Sequence, residues 1–474
     1  MMKRITISDV KKLTGVELVN AGSLRRQPVT GICTDSRTVR PGVLFVALKG
    51  ETFDAHEFLD AVVKAAPAAV MVRRSWAETH GQYLRTFPCL FIIVPDTTIG
   101  YGELARVYRR KFDIPVIAVG GSNGKTTTKE LVTAVLSAKY SVLSTEGNLN
   151  NHIGVPQTLF RITAKHDVAV VEIGTNHFGE LAYLCSVAEP THGLLTNIGK
   201  EHLEFFGDEA GVAKEELELF RYLQKHNGTA FVNADDRFLA EGSKGMKRAV
   251  RYGTAMSADV RAKQVKLNDL GQASFTIAVR KKETAFTVRL SAPGLHNVTN
   301  ALAAAAIGLS LKVRPAAIAT SLASFTAASK RMEVLSHNGV TILNDTYNSN
   351  PDSVLVALRT LAAFTNSGRK MVVLGDMREL GDASKREHTN IGAVVAEMKT
   401  DALYTFGPFS RYTAEACGAR ARHYEKKEEL AADLRASLQP GDVVLVKGSR
   451  GMRMEEVVAL LTGAGASMTM KGHH

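Results

Sequence analysis

The chain has 474 residues, of which 45% are hydrophobic and 22% charged, a balance typical of globular proteins. Lys and Arg outnumber Asp and Glu by 59 to 47, but this excess forms no basic arm or stripe, which argues against a nucleic-acid partner. We expect a cytoplasmic monomer without stable membrane insertion, because no apolar run is long enough to cross a bilayer and the four cysteines are widely spaced.

Residues 1–112 are predicted to form a small N-terminal α/β domain. The short apolar runs VLFVALKG, AAVMV and LFIIVPD predict buried strands, and helical stretches lie between them. Apolar runs of this length, each followed by a helix, favour a sheet that is covered by helices.

Residues 113–325 are predicted to form a central domain with a doubly wound, mostly parallel sheet. Its buried strands are predicted at IPVIAV, DVAVVEIG, HGLLTNIG and TAFVNADD. Residues 258–291 change to alternating stretches such as ASFTIAV and TAFTVRLSA, which predict antiparallel hairpins added to that sheet.

Residues 326–474 return to the α/β pattern, with apolar runs at VTILND, KMVVLGD, ALYTFG and DVVLVKGS. This pattern predicts a Rossmann-like C-terminal domain. The fold class predicted for the whole chain is therefore α/β with three domains, the central one carrying a P-loop-type sheet.

A phosphate-binding loop is predicted where IPVIAV runs through GGSNG into the helix KTTTKELVTAVLSA. Its residues are Gly121, Ser122, Asn123, Gly124, Lys125, Thr126 and Thr127. The usual P-loop has a further glycine where this chain has Val119, so the loop is a shortened form. Backbone amides at the start of a helix stabilise phosphate, Lys125 is predicted to neutralise ATP phosphates, and Thr126 to bind Mg²⁺. A glycine turn without a ligand is the alternative.

Glu172 and His202 are the predicted metal ligands beside that loop. Glu172 ends the strand DVAVVE, and His202 follows the strand HGLLTNIG. The carboxyl ends of parallel strands meet at one edge of a sheet, so both side chains are expected near the loop. A structural histidine and a helix-capping glutamate are the alternatives.

Three asparagine-rich turns are further candidates: GNLNNHIGVP, HNVTNALAAAA and NDTYNSNPDS. Asparagine is common in turns, which is the simpler explanation of all three. His296 and Asn300, however, lie one helical turn apart at the start of an alanine-rich helix. They are predicted to point the same way and to contact a base or a sugar.

Taken together, these motifs resemble those of the Mur ligases, the ATP-dependent amide-forming enzymes of peptidoglycan precursor synthesis. The resemblance covers essentially the whole chain. It rests on TDSRTVRPGVLFVALKGETFDAHEF, GSNGKTTTKE, GNLNNHIGVP, EIGTNHFGEL, GLHNVTNALAA, DTYNSNPDS, VLGDMRELG and VLVKGSRGMRME, which occur in the family's order. The family uses the shortened phosphate loop.

The resemblance implies a role for further residues. Ser36, Arg37, His56 and Phe58 match the site for the UDP end of the substrate, and Asn150, Asn151 and Asn176 match positions that face the muramoyl-peptide. It implies that His296 and Asn300 contact adenine and that Arg331 and Asp345 reach ATP when the domains close. The incoming dipeptide and the acyl terminus are expected to meet at Asn348, Asn350, Ser353, Lys447 and Ser449.

One position departs from the family. Many Mur ligases carry a lysine after the metal histidine that reacts with CO₂ to form a carbamate beside Mg²⁺, and alignment places Glu216 there. Glu216 is therefore predicted to supply natively the carboxylate that carbamylation creates. The alternative is that VAKEELELF is a charged surface helix and that Lys214 is the modified residue.

The resemblance implies an enzyme that uses ATP and Mg²⁺ to join D-alanyl-D-alanine to UDP-N-acetylmuramoyl-tripeptide through an acyl phosphate. A sibling enzyme that adds diaminopimelate or lysine to the dipeptide precursor is the alternative, although its Asp-Asn-Pro-Arg motif is missing here. Folylpolyglutamate synthase fits less well, because a UDP-site segment precedes the loop. A P-loop ATPase acting on a macromolecule would need a basic stripe.

Overall fold

The structure is a computed structural model that describes residues 2–22, 28–280, 284–326 and 329–463. Residues 281–283, which fall in the predicted hairpin segment, lie outside the described residues. Within the described residues, three β-sheets follow one another along the chain, each with helices against it. The predicted α/β fold class is confirmed, whereas the predicted domain borders at 112/113 and 325/326 stay predictions.

The first sheet has five strands in the order β1-β5-β4-β3-β2, parallel except for the short edge strand β1. Its central strands are fully buried, as expected for a sheet with helices nearby. The elements are β1 (Glu17–Val19), β2 (Gly31–Cys33), β3 (Val43–Val46), β4 (Ala69–Arg73) and β5 (Leu90–Val94), with α1 (Ile7–Val10), α2 (Leu59–Lys64), α3 (Arg74–Thr79), α4 (Gly81–Thr86) and α5 (Thr97–Arg109).

Helix α5 joins this first unit to the second. Its Tyr108 is almost fully buried, and the Tyr108 hydroxyl donates to the Ile162 carbonyl at 2.7 Å. The Arg109 side chain donates to the Ala188 carbonyl at 3.1 Å. One hydrophobic cluster therefore runs without a break from the first sheet into the second.

The second sheet has nine strands in the order β14-β13-β12-β11-β10-β9-β6-β8-β7. Its strands are β6 (Val116–Gly120), β7 (Val142–Ser144), β8 (Val168–Glu172), β9 (His192–Leu195), β10 (Thr229–Asn233), β11 (Ala249–Gly253), β12 (Val260–Leu267), β13 (Gln272–Val279) and β14 (Ala285–Pro293). Strands β6 to β12 pair in parallel, and β12, β13 and β14 pair antiparallel, as predicted.

The helices of the second unit cover both faces of its sheet. They are α6 (Lys125–Ser137), α7 (Gly154–Phe160), α8 (Glu180–Ala188), α9 (Leu203–Phe206), α10 (Glu209–Glu216), α11 (Glu218–Lys225), α12 (Arg237–Gly242), α13 (His296–Ser310) and α14 (Pro315–Ala323). The alanines of α13 are buried against α6, and such small side chains let two helices approach closely. This packing brings the start of α13 beside the phosphate loop.

The third sheet has six strands in the order β15-β16-β20-β17-β18-β19, parallel except for β15. Its elements are β15 (Glu333–His337), β16 (Val340–Asp345), α15 (Pro351–Ala363), β17 (Lys370–Gly375), α16 (Ser384–Glu397), β18 (Ala402–Phe406), α17 (Ser410–Cys417), β19 (Ala421–Tyr424), α18 (Lys427–Ser437), β20 (Val443–Lys447) and α19 (Glu455–Thr462). The turns after β16, β17 and β20 lie at one edge and face the second unit. In the described part of the chain, no helix combines the length and apolarity needed to span a membrane.

Candidate active site

A cavity of about 1070 Å³ lies between the second and third units. The phosphate loop, the ends of β8 and β9 and the start of α13 line it from one side. The turns after β16, β17 and β20 line it from the other side. The carboxyl ends of parallel strands in two sheets therefore meet at one cavity, which is where α/β folds bind ligands.

The loop between β6 and α6 needs glycine at two positions. Gly121 has φ of +105°, and a Cβ there would lie 2.4 Å from the Thr196 hydroxyl. Gly124 is the left-handed N-cap of α6, and a Cβ there would lie 3.0 Å from the Asn300 side chain. The two glycines allow the chain to turn directly into α6, so the first amides of that helix open onto the cavity.

Hydrogen bonds within the protein already occupy three amides of this loop. The Gly121 amide donates to Glu216 Oε2 at 2.9 Å, and the Ser122 amide donates to the Asn197 carbonyl at 2.9 Å. The Asn123 amide donates to Asn197 Oδ1 at 3.1 Å. The amides from 124 to 127, at the start of α6, are the ones left to receive a phosphate.

Lys125 is partly buried and surrounded by carboxylates. Its Nζ donates to Glu201 Oε2 at 3.1 Å and to the Ser122 carbonyl at 3.2 Å. Burial by itself lowers the pKa of Lys125, but the carboxylates of Glu201, Glu216 and Glu172 outweigh burial and raise it. Lys125 is therefore held as a cation at the cavity wall.

Glu172 and Thr126 lie together beside the loop. Glu172 is 1% exposed, and its Oε1 accepts hydrogen bonds from the Thr126 hydroxyl at 3.3 Å and from Asn150 Nδ2 at 2.9 Å. Glu172 Oε2 is buried and has no hydrogen-bond partner in the described structure. A buried, unpartnered carboxylate oxygen next to a hydroxyl is a donor set that suits Mg²⁺.

His202, the other predicted metal ligand beside the loop, lines the cavity at the boundary with the third unit, and its part in metal binding stays a prediction. Its Nδ1 lies 2.6 Å from Glu379 Oε2, across the boundary with the third unit. The close approach of His202 holds the pKa of Glu379 below its ordinary value. Among the described residues, no three His, Cys, Asp or Glu side chains are arranged to hold a metal, so the predicted set is not preassembled. Of the predicted set, Thr126 and Glu172 are the oxygen donors that would suit Mg²⁺.

Glu216 lies beneath the loop and does not line the cavity. It is fully buried; its Oε2 accepts from the Gly121 amide, and its Oε1 has no partner in the described structure. Burial raises the pKa of Glu216 to about 8, against the effect of Lys125. Lys214, the alternative, is exposed, and its Nζ lies 5.4 Å from the centre of the Phe178 ring. The segment is therefore not merely a charged surface helix, because Glu215 and Glu216 are both buried.

His296 and Asn300 both line the cavity from the start of α13, as their spacing predicts. Burial lowers the pKa of His296 to about 4, so its ring is neutral at neutral pH. His296 Nδ1 is buried without a hydrogen-bond partner in the described structure, and Asn300 packs against Gly124. A neutral imidazole and an amide beside the phosphate loop suit a nucleotide base.

In the third unit, Asp345 and Lys447 end the neighbouring strands β16 and β20. Lys447 Nζ donates to Asp345 Oδ2 at 2.7 Å and to the Asn348 carbonyl at 2.8 Å. The Arg331 guanidinium lies over the Tyr347 ring, 3.7 Å from its centre. All these side chains line the cavity, so cationic groups stand on both of its walls.

Asn350 and Ser353 line the cavity, but their polar atoms are used to start α15. Asn350 Oδ1 accepts from the Ser353 amide, and the Asn350 amide donates to Ser353 Oγ, both at 2.9 Å. This is a reciprocal cap of the helix N-terminus. Asn350 Nδ2 also donates to Asn123 Oδ1 at 3.0 Å, and so connects the third unit to the phosphate loop.

Lys200 makes the other main contacts between these two units. Its amide donates to Asp352 Oδ2 at 2.7 Å, and its Nζ donates to the buried carboxylate of Glu387 at 3.0 Å. Ser449 stays within the third unit, where its hydroxyl donates to the Ser349 carbonyl at 3.0 Å. The second and third units therefore meet through ion pairs and amides around the cavity.

The remaining asparagines of the second unit also serve local structure. Asn151 Oδ1 accepts from the amides of Ile153 and Gly154 at the start of α7. The Asn176 amide donates to Glu180 Oε2 at 2.8 Å. Both residues shape local turns, but both also line the cavity. They therefore remain candidates for the predicted substrate site.

The four residues predicted for the UDP end lie in the first unit and do not line the large cavity: Ser36, Arg37, His56 and Phe58. Both ring nitrogens of His56 have partners in the described structure, Asp54 Oδ1 at 2.6 Å and the Arg73 amide at 3.0 Å. Arg37 pairs with Asp35 and is well exposed, and Phe58 is 45% exposed. Arg37 and Phe58 are thus open to a ligand, whereas His56 supports the fold around them.

Comparison with known proteins agrees with this geometry. The Mur ligase middle domain matches residues 119–308, and the Mur ligase glutamate ligase domain matches residues 330–450. UDP-N-acetylmuramoyl-tripeptide–D-alanyl-D-alanine ligase of Escherichia coli K12 is 37% identical over 97% of this chain and 99% of its own length. The chain belongs to the Mur ligase family.

Solved structures resemble this Mur ligase over nearly its full length. The crystal structure of MurF from Acinetobacter baumannii matches with a TM-score of 0.87 and 30% identity, covering 98% of this chain and 99% of that one. MurF ligase from Thermotoga maritima in complex with ADP matches with a TM-score of 0.81 and 28% identity, covering 92% and 97%. The predicted family and the predicted α/β fold class are therefore confirmed.

Sequence reasoning missed several residues at the cavity of this Mur ligase: Glu201, Tyr347, Arg378 and Arg450. Arg378 and Arg450 lie within motifs that the resemblance used, LGDMRELG and KGSRGM, and cationic side chains beside a phosphate loop are a usable signal. Tyr347 lies between Arg331 and Arg450. Arg450 Nη1 donates a hydrogen bond to the Tyr347 hydroxyl at 3.1 Å. Glu201 gives no such signal, because a charged residue in KEHLE reads as solvent-exposed.

Proposed function

We propose that this Mur ligase joins D-alanyl-D-alanine to UDP-N-acetylmuramoyl-tripeptide with ATP, in peptidoglycan precursor synthesis. The observation that carries the proposal is a single cavity lined by Lys125 and the start of α6 on one wall and by Arg331, Asp345 and Lys447 on the other. A site that binds a polyphosphate beside further cations suits the transfer of a phosphoryl group to an anionic acceptor.

The chemistry follows from the weakness of a carboxylate as an electrophile. An oxygen of the tripeptide's terminal carboxylate attacks the γ-phosphorus of ATP, ADP leaves, and an acyl phosphate forms. The amine nitrogen of D-alanyl-D-alanine then attacks the acyl carbon, phosphate leaves, and the nitrogen loses a proton to give the amide. Positioning and charge stabilisation supply most of the catalysis in such a sequence.

The residue roles extend this proposal. The amides at the start of α6 and Lys125 hold the phosphates, while His296 and Asn300 contact the adenine. Thr126 and Glu172 hold Mg²⁺, which neutralises phosphate charge when bound. Segment 113–325 binds ATP, and segment 326–474 supplies the ligase groups. Segment 1–112 binds the UDP end through Arg37 and Phe58, because these are the two predicted residues there that are open to a ligand.

Two observations favour this function over that of the sibling that adds diaminopimelate or lysine to the dipeptide precursor. The Asp-Asn-Pro-Arg motif of that sibling is absent from the sequence. Relatives that match almost the entire chain, including one from Bacillus subtilis at 34% identity, are named for the use of D-alanyl-D-alanine and the tripeptide.

An ADP-release assay tests the proposal. Turnover should require both D-alanyl-D-alanine and a UDP-N-acetylmuramoyl-tripeptide, and the diaminopimelate and lysine forms of the tripeptide should be compared side by side. Turnover with the dipeptide precursor and a free diamino acid would favour the sibling reaction. Stimulation by nucleic acid in place of these substrates would refute a ligase function.

A further inference from the structure

Glu201 is a buried carboxylate at the cavity for which the proposed chemistry has no task. It lies between β9 and α9, is 7% exposed and lines the cavity. Its Oε2 accepts a hydrogen bond from Lys125 Nζ at 3.1 Å. Its Oε1 is buried and has no hydrogen-bond partner in the described structure. One carboxylate oxygen of Glu201 is therefore paired with Lys125, and the other has no hydrogen-bond partner within the described structure.

The binding of ATP changes the charge around Glu201. Under the proposed function, Lys125 pairs with ATP phosphates. Its positive charge then no longer neutralises Glu201 by itself. Another candidate is His202, whose Nε2 lies 3.9 Å from Glu201 Oε2, but the His202 ring lies closer to Glu379, with Nδ1 2.6 Å from Glu379 Oε2. A buried carboxylate that loses its cation is strongly destabilising unless another cation takes its place.

The cation that arrives with ATP is the divalent metal. Glu172 and Glu201 both line the cavity, both interact with Lys125, and each has one buried oxygen without a partner. Carboxylate oxygens of this kind are the ligands that Mg²⁺ and Mn²⁺ prefer. Glu216 differs, because it does not line the cavity and its Oε2 is bound to the Gly121 amide.

We propose that Glu201 exchanges partners during nucleotide binding: it pairs with Lys125 in the empty site and becomes a ligand of the divalent cation when ATP is bound. This inference rests on the proposed ATP site. In this exchange, Glu201 competes with phosphate for Lys125 when metal is absent, and it binds the metal when metal is present. Removal of its charge should therefore have opposite effects on the two binding events.

Binding experiments on the Glu201→Gln variant test the proposal without relying on turnover. In EDTA, the variant should bind the non-hydrolysable analogue AMP-PNP more tightly than the wild type, because Lys125 is free. With AMP-PNP present, the Mn²⁺ dissociation constant of the variant, measured by electron paramagnetic resonance, should rise by about tenfold or more. Glu201→Asp, which keeps the charge, should bind Mn²⁺ better than Glu201→Gln.

Glu204→Gln is the matched control, because Glu204 is exposed and lies three residues further along the same segment. It should match the wild type in both titrations. Weaker AMP-PNP binding by Glu201→Gln in EDTA, or an unchanged Mn²⁺ affinity, would overturn the proposal. If the wild type itself fails to bind AMP-PNP, the proposed ATP site is wrong, which is a separate outcome.

Discussion

Lys125 is the residue on which the proposed chemistry depends most directly. Its cationic form is maintained by surrounding carboxylates, and its side chain lies at the cavity wall beside the start of α6. A fixed cation at that position stabilises the charge that moves between the γ-phosphate and its acceptor.

The Lys125→Ala variant should lose roughly 100-fold or more of its turnover, because a fixed charge that stabilises the transition state is removed. ADP release at saturating ATP measures this, and circular dichroism should show a folded protein. Lys139→Ala, in an exposed lysine just beyond the same helix, is the control and should stay active. Near-normal turnover of Lys125→Ala would rule this lysine out.

Activity of the wild type should not depend on CO₂, because Glu216 occupies the position of the carbamylated lysine and already bonds the Gly121 amide of the phosphate loop. In bicarbonate-depleted buffer the wild type and Lys214→Ala should remain active, whereas Glu216→Ala should lose Mg²⁺-dependent turnover. The position of Lys214, exposed over Phe178, supports this expectation. Loss of activity in Lys214→Ala, with recovery on addition of bicarbonate or small carboxylates, would contradict it.

Acid should destabilise the protein partly through His296. The pKa of His296 is about 4 in the folded protein, whereas the ordinary value of 6.5 applies in the unfolded chain. Between pH 4 and pH 6.5 the unfolded chain therefore binds more protons than the folded protein. The free energy of unfolding should therefore fall as the pH drops from 6.5 towards 4, with a contribution of roughly 1–3 kcal/mol from this group. Urea unfolding of His296→Gln should show a shallower dependence over that range; an identical slope would exclude this histidine as a cause.

At the scale of elements, the buried strands were the most predictable part of the fold. Runs such as IPVIAV and VVLV are apolar throughout because helices cover both faces of their sheets, whereas the hairpin region alternates because one of its faces is less buried. The short strands β1, β2 and β7 were not predicted, since three residues carry too little periodicity. Their pairing is decided by neighbours that are distant in sequence.

Individual side chains of the site were predictable only when their strand or helix fixed their direction. Glu172 and Lys447 end buried strands, and His296 and Asn300 share a helix face, so all four reach the cavity. The uses of His56, His202 and Asn350 were not predictable, because their partners Arg73, Glu379 and Asn123 come from other elements. Hydrogen bonds between distant segments leave no pattern in the sequence.

The cap of α15 gives a prediction at this scale. Asn350→Ala should lower the free energy of unfolding by about 1 kcal/mol, because the reciprocal cap with Ser353 is lost. Asn350→Ser is the matched variant, since serine also caps helices but is too short to reach Asn123. Urea unfolding should therefore give Asn350→Ser near the wild type. If it is as unstable as Asn350→Ala, the contact with Asn123 and not the cap provides the stability.

At the scale of the molecule, the site exists only where two separately built units meet. The contacts of Lys200 with Asp352 and Glu387, and of His202 with Glu379, hold the two walls of the cavity together. Enclosure of an acyl phosphate between two such walls protects it from water. We expect this boundary of a few ion pairs and amide contacts to open and close with each turnover.

Closure on ATP should depend on Asp345, which lines the cavity from the third unit and pairs with Lys447. Asp345→Ala should reduce turnover by roughly 100-fold, because the groups of the third unit are no longer aligned with ATP. In limited proteolysis, ATP should protect the chain near residue 326 in the wild type but not in this variant. Equal protection in both proteins would count against closure onto the nucleotide.

The internal hydrogen bonds of the phosphate loop bear on how the enzyme can be inhibited. Since Glu216 and Asn197 already fix the amides of Gly121, Ser122 and Asn123, the ligand does not have to order this loop. Preorganised sites lose little conformational entropy on binding, so even a small anionic fragment should gain affinity from the start of α6. A longer inhibitor that also touches Arg331 or Lys447 must keep two separate units aligned, and we expect it to lose part of that advantage. Fragment growth along the second unit, towards His296, should therefore improve affinity more per added atom than growth across the cavity.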